Sequence, residues 1–289
     1  MHNVAGAGKV TLDPPSITRE VLGVPVVEGE TPEPWDAPVV ARPYWWADAD
    51  RLLFRSDDGA SVYVERGAVT LRAPDGESRI ANDWLAYATA ARALLTLDGR
   101  YNLHATLVAA PDGRMVAILG DSRAGKSTTT VELVTRGWGF ACDDIAEVVT
   151  GPKGALARPV ERPVHLSEAA ARRLGGDPAV GRWLPEREKR VYAVVGADLT
   201  PRPLAAMVLL STLAAGNQVE VRPVPALQAI TTVADSGDRY GVCHLPEHRS
   251  AYLRWATELT RTVPLWTVAR PAEGDSVAAV ADAVASISG

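Results

Sequence analysis

Eight residues near the middle of the chain restrict its fold more than any other segment. They read Gly-Asp-Ser-Arg-Ala-Gly-Lys-Ser, from Gly120 to Ser127. A strand-like apolar run over 114–119 precedes them, and a helical pattern over 125–135 follows. The spacing satisfies G-x-x-x-x-G-K-[ST], in which the glycines let a strand turn tightly into a helix. The segment therefore predicts a strand, a tight loop and a helix, which belong in an α/β protein.

The same loop predicts phosphate binding. Its glycines let backbone N–H groups point inward, and the helix N-terminus adds a positive dipole. We expect Lys126 to reach the β- and γ-phosphates of a nucleotide and the Ser127 hydroxyl to bind Mg²⁺. Composition supports this, because only four of the 30 basic residues are lysines and one is Lys126. The predicted nucleotide-binding residues are Gly120, Asp121, Ser122, Arg123, Ala124, Gly125, Lys126, Ser127 and Thr128.

A pair of aspartates, Asp143 and Asp144, follows seventeen residues after Lys126 and ends a predicted strand over 139–142. A carboxylate at the end of a strand beside a phosphate loop can bind Mg²⁺. A second carboxylate can accept the proton of an attacking hydroxyl. Because adjacent strand residues point to opposite faces, the pair predicts one metal-facing and one proton-accepting carboxylate.

Composition excludes several classes of protein. With 47% apolar and 22% charged residues, the chain has ordinary globular values. A net charge of −5 argues against a nucleic-acid partner, which needs a basic surface. No apolar run approaches the ~20 residues that span a bilayer, so no membrane partner is expected. The start lacks the pattern of a secretory signal, and two cysteines cannot form a disulfide framework. We therefore expect a cytoplasmic protein.

The pattern of elements predicts two domains, 1–100 and 101–289. Prolines in the first forty residues favour an extended lead-in. Helical spacing predicts a helix over 78–97. Three short runs with turn residues between them predict an antiparallel meander. These runs are 52–55, 60–65 and 68–72. The first domain is thus expected to be smaller, β-rich and closed by a helix.

Beyond residue 100, short strands and helices alternate, which predicts an α/β domain with a partly antiparallel sheet. The Pro111-Asp112-Gly113 turn indicates a hairpin between strands over 104–110 and 114–119. Ser167 stands at the N-cap position of a helix over 167–174. The other predicted strands are 139–142, 145–150, 190–195, 205–210, 218–221 and 265–268. The other predicted helices are 226–233, 250–262 and 276–287.

Taken together, these residues resemble the catalytic core of HPr serine kinase/phosphorylase. The loop of that family reads G-x-S-G-x-G-K-S, followed by a helix, an Arg-Gly turn, a strand and an Asp-Asp pair. Here the turn is Arg136-Gly137, and His104 matches the family's histidine one strand before the loop. The likeness covers about residues 100–150 well and the remainder only loosely.

The resemblance implies a fold and a set of roles. The fold is α/β, with a P-loop-containing mixed sheet of the HPr kinase/phosphoenolpyruvate carboxykinase type and a separate N-terminal domain. Asp143 would be the general base, Asp144 a metal ligand together with Ser127, and His104 a group that steadies the carboxylates. The implied cofactors are ATP and Mg²⁺, and the implied reaction is transfer of the γ-phosphoryl group of ATP to a hydroxyl.

Two departures from the family bear on the acceptor. Arg123 stands where the family has glycine, and the family's glycine-rich segment is not found after Asp144. HPr itself is therefore not the expected substrate. The chain looks more like the divergent HPr-kinase-like proteins of peptide natural-product pathways, some of which phosphorylate a serine of a precursor peptide. This likeness implies a peptide or protein partner with an acceptor serine.

Other interpretations stay open at this point. The acceptor can be a small molecule, such as a free amino acid or a sugar, or the loop can belong to a nucleotide-sensing module without turnover. Lys189 and Arg190 lie in a charge cluster over 185–190. The cluster fits a solvated loop, or it supplies cations near the transferring phosphoryl group. The oligomeric state is also open, a homo-oligomer included.

Overall fold

The computed structural model describes residues 11–14, 20–36, 38–42, 44–57, 59–72, 79–122, 124–160, 164–184, 188–197, 199–213, 216–237 and 245–288. Their strands are β1 (Thr11–Asp13), β2 (Glu20–Val21), β3 (Val24–Glu28), β4 (Val40–Arg42), β5 (Trp45–Ala47), β6 (Arg51–Arg55), β7 (Ser61–Glu65), β8 (Ala68–Arg72), β9 (Asn102–Leu103), β10 (Thr106–Ala109), β11 (Met115–Leu119), β12 (Gly139–Cys142), β13 (Ala146–Gly151), β14 (Gly154–Pro159), β15 (Val164–Leu166), β16 (Arg182–Leu184), β17 (Lys189–Val195), β18 (Arg202–Thr212), β19 (Glu220–Pro223) and β20 (Leu265–Arg270). Their helices are α1 (Arg79–Leu97), α2 (Lys126–Thr135), α3 (Glu168–Arg173), α4 (Ala226–Gly237), α5 (Pro246–Thr262) and α6 (Val277–Ser288). None of these helices is both long enough and apolar enough to cross a membrane.

These elements form two compact units, each drawn from separate stretches of the chain. Unit 1 takes its described residues from 1–15, 103–236 and 257–289. Unit 2 takes its described residues from 16–102 and 237–256. The division into domains 1–100 and 101–289 stays a prediction. The glycine loop and the aspartate pair both lie in unit 1.

Unit 2 contains a seven-stranded sheet in the order β2-β3-β8-β7-β6-β5-β4. The antiparallel meander predicted from the sequence is confirmed, because β6 pairs with β7 and β7 with β8 in antiparallel register. Val62 and Val64 are buried while Tyr63 between them is half-buried, as the alternation of a strand requires. The predicted helix is confirmed as α1, whose Ala91 and Leu95 are fully buried.

Unit 1 contains eight complete strands of a mixed sheet, which confirms the expected partly antiparallel α/β arrangement. Strand β11 pairs antiparallel with β10, as the predicted hairpin requires. It also lies parallel to β18, and β18 lies parallel to β20. All five residues of β11 are buried, which explains its uninterrupted apolar sequence. The carboxyl ends of these three parallel strands meet at one edge, which is where open α/β sheets bind ligands.

A second sheet of unit 1 has four strands, with β1, β17 and β15 in order and β16 also paired to β17. Its buried residues Leu12, Val164 and Tyr192 form a cluster with Val131 of α2. The predicted N-cap is confirmed, since the Ser167 hydroxyl accepts a hydrogen bond from the N–H of Ala170 at the start of α3. Strands β15 and β16 were not predicted, because three residues are too few to show an alternating pattern.

Candidate functional site

The glycine loop connects β11 to α2 at the edge where the parallel strands end. Gly120 has φ 142° and Gly125 has φ 105°, conformations that residues with a side chain rarely adopt. A Cβ at Gly120 would lie 2.9 Å from the carbonyl oxygen of Leu210 in β18. Gly125 is the N-cap of α2 and has no side chain with which to cap the helix. The first N–H groups of such a helix suit an anion, because they have no partner within the helix.

Lys126, the first residue of α2, folds back over this loop. Its Nζ donates hydrogen bonds to the carbonyl oxygens of Gly120 at 2.6 Å and Asp121 at 3.2 Å. The side chain is half-buried. The ammonium therefore lies at the loop that the sequence predicts to bind phosphate.

Replacement of Gly120 by alanine should weaken ATP binding by on the order of tenfold or more, because strain of ~1–3 kcal/mol would reshape the loop. Titration calorimetry with a non-hydrolysable ATP analogue measures the effect. Gly137→Ala is the matched control, since Gly137 also has a positive φ, 93°, but nothing lies within 4 Å of its Cβ position. Equal affinity in the Gly120→Ala variant and the wild type would contradict the loop's role.

Asp143 directly follows β12, which lies antiparallel beside β10. The Thr106 hydroxyl, on β10, donates a 2.6 Å hydrogen bond to Oδ1 of Asp143. Thr106 is buried, and Asp143 is half-buried. The sequence did not single out Thr106. The sequence shows only that Thr106 stands two residues after His104 in a predicted strand. Its contact with Asp143 depends on the pairing of β10 with β12.

Asp144 has a different environment from Asp143. Its backbone is in the left-handed region, with φ 75°. Its Oδ1 lies 2.5 Å from Nδ1 of His104, and the two side chains are 15% and 24% exposed. The backbone N–H of His104 donates to the carbonyl oxygen of Ser236 at 3.2 Å. Strained backbone of this kind costs about 1–3 kcal/mol and is concentrated at functional sites.

The structure brings the loop serine and the first aspartate together. Ser127, Thr106 and Asp143 line the same pocket of unit 1. Ser127 belongs to the loop and the start of α2, whereas Thr106 lies in β10 and Asp143 directly follows the neighbouring strand β12. The end of the glycine loop and Asp143 therefore adjoin one pocket, whose surface is almost entirely apolar.

The residues present fit a Mg²⁺ ion better than a transition metal. Within the described part of the chain, no group of three or more His, Cys, Asp or Glu could hold a metal. Mg²⁺ needs fewer protein ligands, because it keeps several waters and binds one or two carboxylates together with substrate phosphates. Ser127 and Asp144 are the oxygen donors that the sequence predicts for it.

The sequence predicts Asp144 as a Mg²⁺ ligand, and His104 contacts its carboxylate. On this prediction, His104→Ala should raise the Mg²⁺ concentration for half-maximal ATP turnover by about 10–100-fold, which is the typical effect of losing a residue that orients a metal ligand. The Mg²⁺ requirement should rise less in His104→Gln, since the glutamine amide N–H can still donate a hydrogen bond to Asp144. Turnover measured over a Mg²⁺ titration tests both. An unchanged Mg²⁺ dependence in a folded His104→Ala variant would remove His104 from the site.

Arg270, at the carboxyl end of β20, is a second cation at this edge that the sequence analysis missed. A Cβ at Gly125 would lie 4.0 Å from Nε of Arg270. Its Nη1 donates to the carbonyl oxygen of Pro271 at 3.2 Å. Arg270 follows a predicted strand, but only the parallel pairing of β20 with β18 brings it to the loop, and local patterns do not show that pairing.

The remaining loop residues are placed as follows. Asp121, Ser122 and Thr128 are exposed, and Ala124 is half-buried. The Ala124 N–H donates to the carbonyl oxygen of Asp121 at 3.1 Å, which closes a turn within the loop. Arg123 lies outside the described residues.

Lys189 and Arg190 begin β17 in the smaller sheet. Nε of Arg190 donates to Glu168 at 3.0 Å, and Nη1 donates to the carbonyl oxygen of Gly181 at 2.9 Å. The guanidinium carbon also lies 5.5 Å from the centroid of the Trp183 ring. These contacts connect Arg190 to α3 and to β16 with the residue before it. A role for either Lys189 or Arg190 at the phosphoryl group stays a prediction.

The fold defines a mixed α/β protein with a glycine loop between a strand and a helix. Ser127, at the end of this loop, and Asp143 line one pocket. No protein-family model matches the chain, and no curated protein matches it. Among solved structures, the chain is similar to the Hpr(Ser) kinase/phosphatase from Coxiella burnetii, with 10% identity and a TM-score of 0.33. The match covers 63% of this chain and 87% of that chain. The family resemblance stays a prediction.

Proposed function

We propose that this protein is a Mg²⁺-dependent kinase that transfers the γ-phosphoryl group of ATP to a hydroxyl, with a serine of a peptide or protein as the acceptor. The observation that carries this proposal is the pocket shared by Ser127 and Asp143. Phosphoryl transfer depends on positioning donor and acceptor in line and on stabilising charge. The position of Ser127, at the end of the glycine loop, and of Asp143 on one pocket supports the first requirement.

Asp143 is assigned as the general base. Its carboxylate takes the proton of the acceptor hydroxyl as the hydroxyl oxygen bonds to the γ-phosphorus. The bond between the γ-phosphorus and the β–γ bridging oxygen breaks, and ADP leaves with that electron pair. The hydrogen bond from Thr106 holds the carboxylate in one orientation, which makes Thr106 a positioning residue.

Cations and N–H groups at the loop would stabilise the negative charge of the transferring γ-phosphoryl group. Lys126 would exchange its bonds to the Gly120 and Asp121 carbonyl oxygens for bonds to phosphate oxygens. Arg270, close to Gly125, supplies a second positive charge. Mg²⁺, when bound, supplies further neutralisation of the β- and γ-phosphates. Ser127 and Asp144 would hold it, and His104 would orient Asp144.

A transfer assay tests the proposal. The full chain is incubated with γ-labelled ATP, Mg²⁺ and a mixture of serine-containing peptides, and the products are separated by mass. We expect label on peptide serine, and its loss when Mg²⁺ is chelated. Tight ATP binding without transfer to any peptide, sugar, amino acid or alcohol would favour a nucleotide-sensing module and overturn the proposal.

A small-molecule hydroxyl kinase is the second candidate, because a pocket adjoins Asp143. The walls of this pocket are mostly aliphatic, with Val131, Val164 and Leu166 among them. They offer few hydrogen-bond partners to the hydroxyls of a sugar or the ammonium of a free amino acid, which are costly to bury unpaired. The pocket therefore favours a peptide or an aliphatic alcohol over either of those acceptors.

A further inference from the structure

Arg270 lies at the end of β20, on the face of the sheet that α2 covers. Two residues earlier in the strand, Val268 is buried in a core cluster that also contains Leu133 of α2. Side chains two residues apart in a strand point to the same face, so Arg270 points to this face as well. Its Nε is 4.0 Å from the Cβ position of Gly125, the residue that precedes α2. The guanidinium therefore lies beside the N-terminus of α2.

Strand β18 fixes the backbone at Arg270. The parallel register sets Thr212 of β18 opposite Arg270, and the N–H of Leu213 donates to the carbonyl oxygen of Arg270 at 2.8 Å. The same strand supplies the carbonyl oxygen of Leu210 that lies close to Gly120. One strand therefore positions both the start of the glycine loop and this arginine.

The charge of Arg270 has no acidic partner within the parts of the chain that the structure describes. Its hydrogen bond there runs from Nη1 to the neutral carbonyl oxygen of Pro271 at 3.2 Å. In contrast, Arg136 in the same unit pairs with the buried carboxylate of Glu132 at 2.7 Å. Since a guanidinium has five N–H donors in a fixed fork, the half-buried Arg270 keeps its charge and several donors for an anion.

Lys126 and Arg270 approach the glycine loop at different points. The Lys126 ammonium lies at the carbonyl oxygens of Gly120 and Asp121, at the start of the loop. Arg270 lies beside Gly125, at the end of the loop. In loops of this pattern the lysine reaches the β- and γ-phosphates, whereas the backbone N–H groups hold the α- and β-phosphates. A cation at the helix N-terminus therefore adjoins phosphates that stay on the nucleotide after transfer.

We propose that Arg270 binds the β-phosphate of the nucleotide and therefore contributes equally to the affinities for ATP and ADP. The proposal rests on the kinase function proposed above and assigns one phosphate of its substrate to one side chain. A guanidinium can donate two parallel hydrogen bonds to phosphate oxygens. Because the β-phosphate takes the electron pair when the bond to the γ-phosphorus breaks, the same charge also stabilises the leaving group during transfer.

Arg270→Gln and Arg222→Gln are a matched pair of variants. Each removes one positive charge from unit 1 and leaves an amide that can still donate hydrogen bonds. Arg222 lies in β19, with Thr267 of β20 opposite it. Its side chain is 74% exposed and pairs with Glu220 of its own strand. The two variants thus differ in whether the lost charge lies beside the glycine loop.

The first experiment measures the affinities of the full chain for ADP and for a non-hydrolysable ATP analogue by titration calorimetry. We expect Arg270→Gln to weaken both by the same factor, about 10–100-fold, since hydrogen bonds to charged groups contribute this much. Arg222→Gln should bind both nucleotides as the wild type does. Unchanged ADP affinity in Arg270→Gln, or a loss confined to the ATP analogue, would overturn the assignment and leave the kinase function intact. A wild-type chain that binds neither nucleotide would instead contradict the kinase function.

A second experiment follows the arginine side chains of the ¹⁵N-labelled wild-type chain by their Nε–H signals. The signal of Arg270 is assigned as the one missing from Arg270→Lys. A saturable shift of this signal with ADP, but not with saturating AMP, supports contact with the β-phosphate. An equal shift with AMP would place Arg270 at the α-phosphate and overturn the assignment. Absence of a shift in every arginine Nε–H signal at saturating ADP would also overturn it, even if the folding of the variants were impaired.

Discussion

Asp143→Asn is expected to reduce phosphoryl transfer by about 10²–10⁴-fold while ATP binding is retained, because general-base catalysis typically contributes this much. Asparagine has the shape of aspartate, and its amide oxygen can still accept the hydrogen bond from Thr106. It cannot take up the proton of the acceptor hydroxyl. Initial rates with γ-labelled ATP, together with ATP affinity from calorimetry, separate the loss of chemistry from a loss of binding.

Asp112→Asn is the control for this substitution. Asp112 lies in the hairpin between β10 and β11, is exposed, and pairs with Arg114. The Arg114 guanidinium lowers the pKa of Asp112, so this aspartate is ionised at neutral pH, and its replacement also removes one negative charge from unit 1. Transfer should therefore stay at the wild-type rate in Asp112→Asn. A wild-type rate in Asp143→Asn would remove Asp143 from the role of base.

The parts of the site that the sequence predicted are local in the chain. The strand, glycine loop and helix from β11 to α2 follow from contiguous residues, since apolar runs, glycine spacing and helical periodicity are short-range patterns. The position of Asp143 at the end of β12 is local in the same sense. Their common pocket is not local, since it requires, among other contacts, the pairing of β10 with both β11 and β12.

The parts that the sequence did not predict depend on pairing between distant segments. Strand β1 pairs with β17, with Thr11 opposite Val195, and neither strand contains information about the other. This sheet packs on Val131 of α2 and forms one wall of the pocket beside Asp143. In the same way, Arg270 reaches the loop only through the parallel register of β18 and β20. Such contacts are decided by the packing of the whole unit, so local periodicity does not show them.

Replacement of Lys126 is expected to have the second large effect on phosphoryl transfer, because its ammonium places a positive charge directly on the loop. The bonds from Nζ to the carbonyl oxygens of Gly120 and Asp121 place it there before any nucleotide binds. Both of these acceptors are neutral carbonyl oxygens. Phosphate oxygens, which carry full negative charge, are stronger acceptors for a charged donor than neutral carbonyls.

Lys126→Met is therefore expected to weaken ATP binding and to lower phosphoryl transfer by about 10²–10³-fold, since the charge that meets the developing phosphate charge is lost. Lys153→Met serves as its control, because Lys153 is exposed in the turn between β13 and β14. Lys126→Arg should restore little of the ATP binding and phosphoryl transfer, since a planar guanidinium cannot occupy the place of a compact ammonium. ATP affinity and transfer rate are measured for all three variants. Wild-type affinity and rate in Lys126→Met would show that nucleotide phosphates bind elsewhere, which would overturn the kinase site itself.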